Sequence, residues 1–147
     1  KMKNEQTSLY KRVKVNFHKY VQLRDVQKAA SGELVAKCIA CSKNWILNTS
    51  TDWKNFVASH YWRADLYKSI ELNPMNVNGS CAHCNTRKHG NISEYQIHLL
   101  EKIGQENFDK LIIKRNQVKK CSFSELEELN NFYLEKIKEQ KQRLGIK

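Results

Sequence analysis

The sequence predicts an α+β fold, mostly helical, in which long N- and C-terminal helices flank a small metal-stapled core. Three observations predict it. Apolar residues recur at helical spacing near both ends of the chain. A short apolar segment, LVAKCIAC, runs into the first of two C-x-x-C pairs, and the insertion between those pairs has few periodic signals. A chain of 147 residues is the size of one domain with extensions. We divide it into an N-terminal basic amphipathic helix (1–30), a core (31–104) and a C-terminal helical extension (105–147).

Each element has its own signal. Leu9, Val13, Phe17, Tyr20 and Val21 make one apolar face with Lys and Arg between, which predicts a helix from about Leu9 to Val26. Ser31-Gly32 breaks that pattern, and the segment before Cys38 reads as a strand turning into a metal knuckle. From Ser42 to Asn78, a stretch holding all three tryptophans and the only proline, short strands and loops are expected. Helix signals return at CAHCNTRKHG, closed by Gly90, then at ISEYQIHLLEKIG, closed by Gly104, and a shorter helix follows in QENFDKLIIKRN. The last helix starts at an S-x-x-E capping box, Ser122 and Glu125, and presents Leu126, Leu129, Phe132, Tyr133 and Ile137 as a stripe.

Charge constrains the partner. Lys and Arg number 26 against 15 Asp and Glu, a formal charge of +11 spread along the chain. Nucleic acid satisfies it best, because each phosphate neutralised releases counterions; an anionic membrane surface is the competing reading. No apolar run approaches the roughly 20 residues of a membrane span, and KMKNEQTSLY has no signal-peptide core, so a cytoplasmic location is expected.

In a reducing compartment paired cysteines read as metal ligands. Cys38, Cys41, Cys81 and Cys84 have the spacing of a tetrahedral structural zinc site, with an iron–sulfur cluster and plain buried thiols as the alternatives. Cys121 is unpaired and reads as core.

Inside the insertion, Ser59-His60-Tyr61 is followed by Asn76, and Asn85 comes directly after Cys84. A ββα-metal nuclease needs a His general base, an Asn to orient it, and ligands on the next helix for a divalent ion, Mg2+ or Mn2+, at the scissile phosphate. His60, Asn76 and Asn85 occur in that order, and a nearly unperturbed His60 imidazole suits a base near pH 7. His89, four residues past Asn85, shares its face if the helix continues, and Glu94 is a hard carboxylate ligand candidate; a phosphate contact and a helix-dipole role are their alternatives. Arg63, Arg87 and Lys88 flank these residues and are candidate phosphate contacts, or simply a solvated face. His18 and His98 read as ordinary helix-face residues, His83 as a local contact.

These segments resemble the phage NinG/Rap recombination proteins, HNH-related endonucleases. The resemblance runs from about Phe17 to Gly104 and is carried by FHKYVQLRD, the first C-x-x-C, Ser59-His60-Tyr61 where the family has G-H-Y/F, NPMNVNGSCAHCN and GNISEYQIHLLEKIG. It implies an HNH (His-Me finger) core in a metal-dependent endonuclease preferring branched DNA such as Holliday junctions. His60 falls on the base position, Asn76 on the Asn of the N-V-H motif, and Asn85 on the position that binds the ion in endonuclease VII-type resolvases. Two departures stand out: Ser59 occupies the place where many HNH enzymes have an Asp ligand, and N-V-H reads Asn76-Val77-Asn78. The other function classes open to this sequence are a non-catalytic zinc-containing DNA-binding accessory protein and a general nicking nuclease. The apolar stripes and basic outer faces of the terminal helices suggest that they embrace a partner subunit or the arms of a junction, and a homodimer would suit paired incisions.

Overall fold

The computed structural model describes residues 1–147. In chain order the elements are α1 (Met2–Arg24), β1 (Val26–Lys28), β2 (Leu34–Lys37), β3 (Asn44–Ile46), α2 (Ser50–Lys54), β4 (Phe56–His60), a 3-10 turn (Lys68–Ile70), β5 (Val77–Cys81), α3 (Ala82–Thr86), α4 (Ile92–Arg115) and α5 (Phe123–Leu144). Helices make up 56% of the chain, so the mostly helical α+β class holds. The strands form two antiparallel units, a sheet ordered β1-β2-β3 and the pair β4-β5.

Helix α1 starts earlier than its apolar face implies, because residues 2–8 add turns that bury little. Its buried residues Leu9, Val13, Phe17 and Val21 are four apart and drift slowly round the helix, so they follow a neighbouring helix along its length. That neighbour is α5. Leu9 and Val13 share a core with Leu126, Phe17 and Val21 with Tyr133, and Leu23 with Leu144, so the two helices run parallel. Each such buried side chain contributes roughly 2 kcal/mol. Arg143 ends the pairing by donating to the carbonyls of Leu23 (3.0 Å) and Val26 (2.8 Å) at the C-terminus of α1, where free carbonyls and the helix dipole favour a cation.

The two stripes therefore bury each other, and neither is left for a partner subunit as the sequence suggested. Phe132 also departs from the expected stripe and is 51% exposed; six residues beyond Leu126 it lies about 120° off the packed face. At the start of α5 both halves of the Ser122–Glu125 capping box form. The insertion contains a helix that sequence reading missed, α2, held by a second capping box between Thr49 and Asp52. In α4, Gly104 adopts φ 80 and ψ 162 and separates the two expected helices at the predicted place.

The β4–β5 pair is the centre of the molecule. Its register sets Ser59 opposite Asn78 and His60 opposite Val77, so Ser59 and Asn78 share one face and His60 and Val77 the other. Every residue of β5 is buried. Gly79 is required there because a Cβ would run into the ring of Phe56, itself fully buried between β4 and the core under α1.

Candidate functional site

The first knuckle sits in the turn between β2 and β3, closed by Cys38 N–H donating to Lys43 O (3.0 Å) and Ser42 N–H to Cys38 O (3.0 Å). The second is the junction of β5 and α3, where Cys81 is the N-cap and its sulfur accepts from Cys84 N–H (3.4 Å). Ile39 N–H donates to Gly79 O (3.0 Å) and draws the two knuckles together. The result is one cluster in which the four sulfurs lie within 4.8 Å of one another, with Cys41 and Cys81 Sγ 3.9 Å apart. A tetrahedral ion with Zn–S bonds near 2.3 Å sets sulfurs about 3.8 Å apart, so the four thiols fit one zinc ion with little movement.

The electrostatics of the cluster favour a cation. Burial pushes the Cys38 thiol up, but hydrogen bonds from the backbone of Cys81 and Cys41 and from Ser80 outweigh it and bring it down to about 6. Burial pushes Cys81 up to about 12 and raises Cys41 as well. One thiolate forms readily at Cys38 and its charge holds back those of Cys41 and Cys81, a conflict that a divalent ion removes. A residue that sequence reading passed over supports the first knuckle: His98 on α4 donates from Nδ1 to Ile39 O (2.8 Å) and faces Ser42 Oγ from Nε2 (3.2 Å). Among His, Cys, Asp and Glu side chains these four cysteines are the one group of three or more whose ligand atoms converge.

On one face of the hairpin, Ser59 Oγ donates to Asn85 Oδ1 (2.8 Å), tying the end of β4 to α3 just past the second knuckle. Behind it the buried Tyr95 hydroxyl donates to Ser59 O (2.7 Å) and accepts from Asn78 Nδ2 (3.1 Å). Asn78 Oδ1 then accepts from Arg24 (3.1 Å) and Lys102 (2.7 Å), and both cations meet Asp25. Burial works against the Asp25 carboxylate, but Arg24, Lys102 and the Gly79 N–H (2.7 Å) hold it below the usual carboxylate range. Arg24-Asp25, which close the FHKYVQLRD segment, thus brace the strand that carries the second knuckle.

His60 points to the other face, toward α1. Its Nε2 lies 2.8 Å from Glu71 O; a carbonyl only accepts, so Nε2 carries the proton and Nδ1 the lone pair. Burial lowers the His60 pKa, against the opposing pull of Glu71, which corrects the expectation of a nearly unperturbed imidazole. The ring centroid of His18 is 5.5 Å away, and burial followed by the charge of His60 lowers His18 to about 4. Glu71 itself is buried and ringed by Tyr10, Lys14 (3.1 Å) and Lys68 (3.5 Å), and these contacts outweigh its burial to keep its pKa low.

Asn76 differs from its expected role. Its hydrogen bonds go to backbone and not to the imidazole: its Oδ1 accepts from Trp62 N–H (2.8 Å) and its Nδ2 donates to Trp62 O (3.0 Å) and Ile70 O (3.3 Å). A fully buried amide used this way pins the loop that leaves β4 two residues beyond His60. His89 does not share a helix face with Asn85, because α3 ends at Thr86 and His89 is exposed at φ 50. Glu94 is exposed in the first turn of α4. Arg63 is paired with Asp65 (2.6 Å), whereas Arg87 and Lys88 are exposed just past α3. Cys121 is half-buried and packs against Leu9, Val13 and Leu126.

The family model described as Bacteriophage Lambda NinG protein matches residues 1–143. The chain belongs to the NinG family. Protein ninG of Escherichia phage lambda is 28% identical over 102 residues, covering 69% of this chain and 46% of that protein. Protein ninG of Escherichia phage 933W is also 28% identical over 102 residues, 69% of this chain and 47% of that protein. A third, of Enterobacteria phage H19B, is 30% identical over 69 residues, 47% of this chain and 33% of that protein. The chain spans about half the length of the first two relatives. No solved structure matches it, and no helix is long and apolar enough to cross a membrane.

Proposed function

We propose that this NinG-family chain is a DNA endonuclease of the HNH type that hydrolyses phosphodiester bonds in branched DNA, with Mg2+ or Mn2+ as cofactor. One observation carries the reading: an antiparallel strand pair runs into a short helix, and the Ser59–Asn85 hydrogen bond closes this unit one residue before His60, whose ring turns to the opposite face at the strand end. The charge of +11 supports DNA as the partner.

In this reading His60 is the general base. Burial keeps it neutral at pH 7, and with Nε2 held by Glu71 O the Nδ1 lone pair is free to take a proton from water. The water oxygen bonds to phosphorus as the bond to the 3′ oxygen breaks, and the leaving oxygen takes a proton from solvent. A divalent ion, when bound, stabilises the charge that builds on the phosphoryl oxygens. Asn85 Oδ1 is the oxygen the unit offers it, while the exposed His89 and Glu94 are not gathered beside it. Asn76 fixes the loop, and Arg87 and Lys88 are the free cations nearest α3 for the flanking phosphates. Paired cuts across a symmetric junction call for a homodimer, through a surface other than the α1 and α5 stripes.

A second reading has its own observation. Ser59 brings no carboxylate and its hydroxyl is spent on Asn85, which suits a zinc-containing accessory protein that binds DNA without cutting it. End-labelled four-way junction, fork and linear duplex, each with Mg2+, Mn2+ or no added ion, separate the readings. Ion-dependent cutting of branched DNA alone is expected; equal cutting of all three means a general nicking nuclease, and binding without incision means the accessory protein.

A further inference from the structure

Alternation along the strands gives the β1–β2–β3 sheet a second face. Val26 and Ala36 enter the core behind the sheet and Trp45 packs against it, so the residues between them, Gln27, Val35, Lys37, Asn44 and Ile46, point the other way. The register sets them in two rows, Gln27 beside Val35 and Ile46, and Lys37 beside Asn44. Across from this face stands α4, whose His98, Glu101 and Lys102 share one side because they are three and four residues apart. Sheet and helix line an open cavity of about 450 Å³, within the size range of small-ligand sites. Val35, Ala36, Ile39 and Gly79 supply its apolar surface.

The polar groups of the cavity divide into two sets. Lys102 meets Asp25 (3.0 Å) and His98 Nε2 faces Ser42 Oγ (3.2 Å), so these four serve the fold. Gln27, Lys37, Asn44 and Glu101 are exposed on the cavity and free for a ligand. Charge inside it balances, Lys37 and Lys102 against Asp25 and Glu101, so it does not select a bare phosphate. Two amides beside an apolar surface select instead a flat group that both donates and accepts, which is what the edge of a nucleobase offers. A strand's phosphates have partners close by in sequence. From Leu34 to Thr51 the chain holds two lysines, Lys37 and Lys43, and no acid, and Lys43 is exposed over the Trp45 ring (4.8 Å).

We propose that this cavity takes an unpaired nucleobase of a DNA strand, with Gln27 and Asn44 reading its edge and Lys37 and Lys43 meeting the neighbouring phosphates. The site rests on the reading that DNA is the partner, and not on cleavage. A base inside a duplex has its pairing edge and both faces occupied, whereas one at a bulge or an open branch point turns out of the stack at little cost. The cavity thus gives the chain a way to tell DNA with unpaired bases from linear duplex. Base and phosphate contacts carry different signatures, which makes the site separable from general basicity.

Anisotropy with three labelled DNAs, without added Mg2+ or Mn2+, tests it: a linear duplex, the same duplex with one unpaired nucleotide, and that DNA with an abasic unit in place of the unpaired nucleotide. The wild type is expected to bind the unpaired base about tenfold more tightly than the abasic unit, the scale of one good base contact. Asn44→Ala and Gln27→Ala should each reduce that preference about threefold, and Val35→Trp, which fills the cavity from the sheet face, should abolish it. All three variants should keep the wild-type affinity for linear duplex and the wild-type slope of log K against log salt, because no phosphate contact is lost; thermal melts check that each folds. Equal affinity of the wild type for the unpaired base and the abasic unit overturns the site, and so does a preference that survives Val35→Trp. Absence of DNA binding by the wild-type chain overturns instead the functional reading on which the site rests. Tight binding of a nucleoside monophosphate with no preference for the unpaired base would assign the cavity to a free nucleotide and refute the DNA assignment.

Discussion

Removing the metal should cost this chain a large part of its stability, and the structure sets the scale. The four cysteines join residues 38–41 to residues 81–84, so an ion bound to them closes a loop of roughly 45 residues. Closing a loop of that length restricts the unfolded chain by about 4 kcal/mol, against a typical net stability of about 5–15 kcal/mol. Three of the ligands, Cys38, Cys81 and Cys84, also lie in the core with Tyr95, Leu99 and Phe108, so emptying the site loosens packing as well. At about 3–4 °C per kcal/mol for a chain of this size, the melting temperature should fall by roughly 10–15 °C or more. The assay pairs metal analysis, expected to give one zinc per chain, with calorimetry before and after chelation. Cys81→Ser should reproduce the chelated melt and Cys121→Ser should not. A purified protein without zinc whose melt is unmoved by chelator would refute the reasoning.

Other expectations follow from single contacts. Arg143→Ala removes the cation capping α1 and should cost about 1 kcal/mol at this exposed position, a drop of roughly 3–4 °C in a thermal melt. Gly79→Ala forces the Phe56 ring out of place and should destabilise the chain by about 1–3 kcal/mol, read by denaturant unfolding. Asp25 has a folded pKa below its unfolded value, so its contribution is fully present above the usual carboxylate range and is lost as pH falls through the folded pKa. Asp25→Asn should therefore be less stable at neutral pH, leaving Arg24 and Lys102 unpaired, and should show a shallower loss of stability on acidification.

Local signals were legible and long-range pairings were not. Ser122 and Glu125 announce α5, Gly104 the break in α4, and the C-x-x-C spacing the cluster, because each depends on residues a few positions apart. The Thr49–Asp52 box was equally local but was missed, since the five-residue α2 it caps has no room for a period. Nothing in the sequence shows that α1 lies parallel to α5, so a stripe that the chain buries itself was read as open to a partner. The site shows the same division. The order of His60, Asn76 and Asn85 can be read, but an Asn bonded to a distant backbone looks like an Asn bonded to an imidazole. Glu71, His18 and His98 gain their importance from contacts across 11 to 61 residues of chain, which no spacing rule captures.

Incision of an end-labelled four-way junction by wild-type protein and His60→Ala, with Mg2+ or Mn2+ and with zinc content matched, tests the central claim most directly. The account predicts ion-dependent cutting by the wild type and a rate about 10²–10⁴ lower in the variant, the range for loss of a general base. Equal cutting by both proteins, or junction binding with no incision by either, would contradict it.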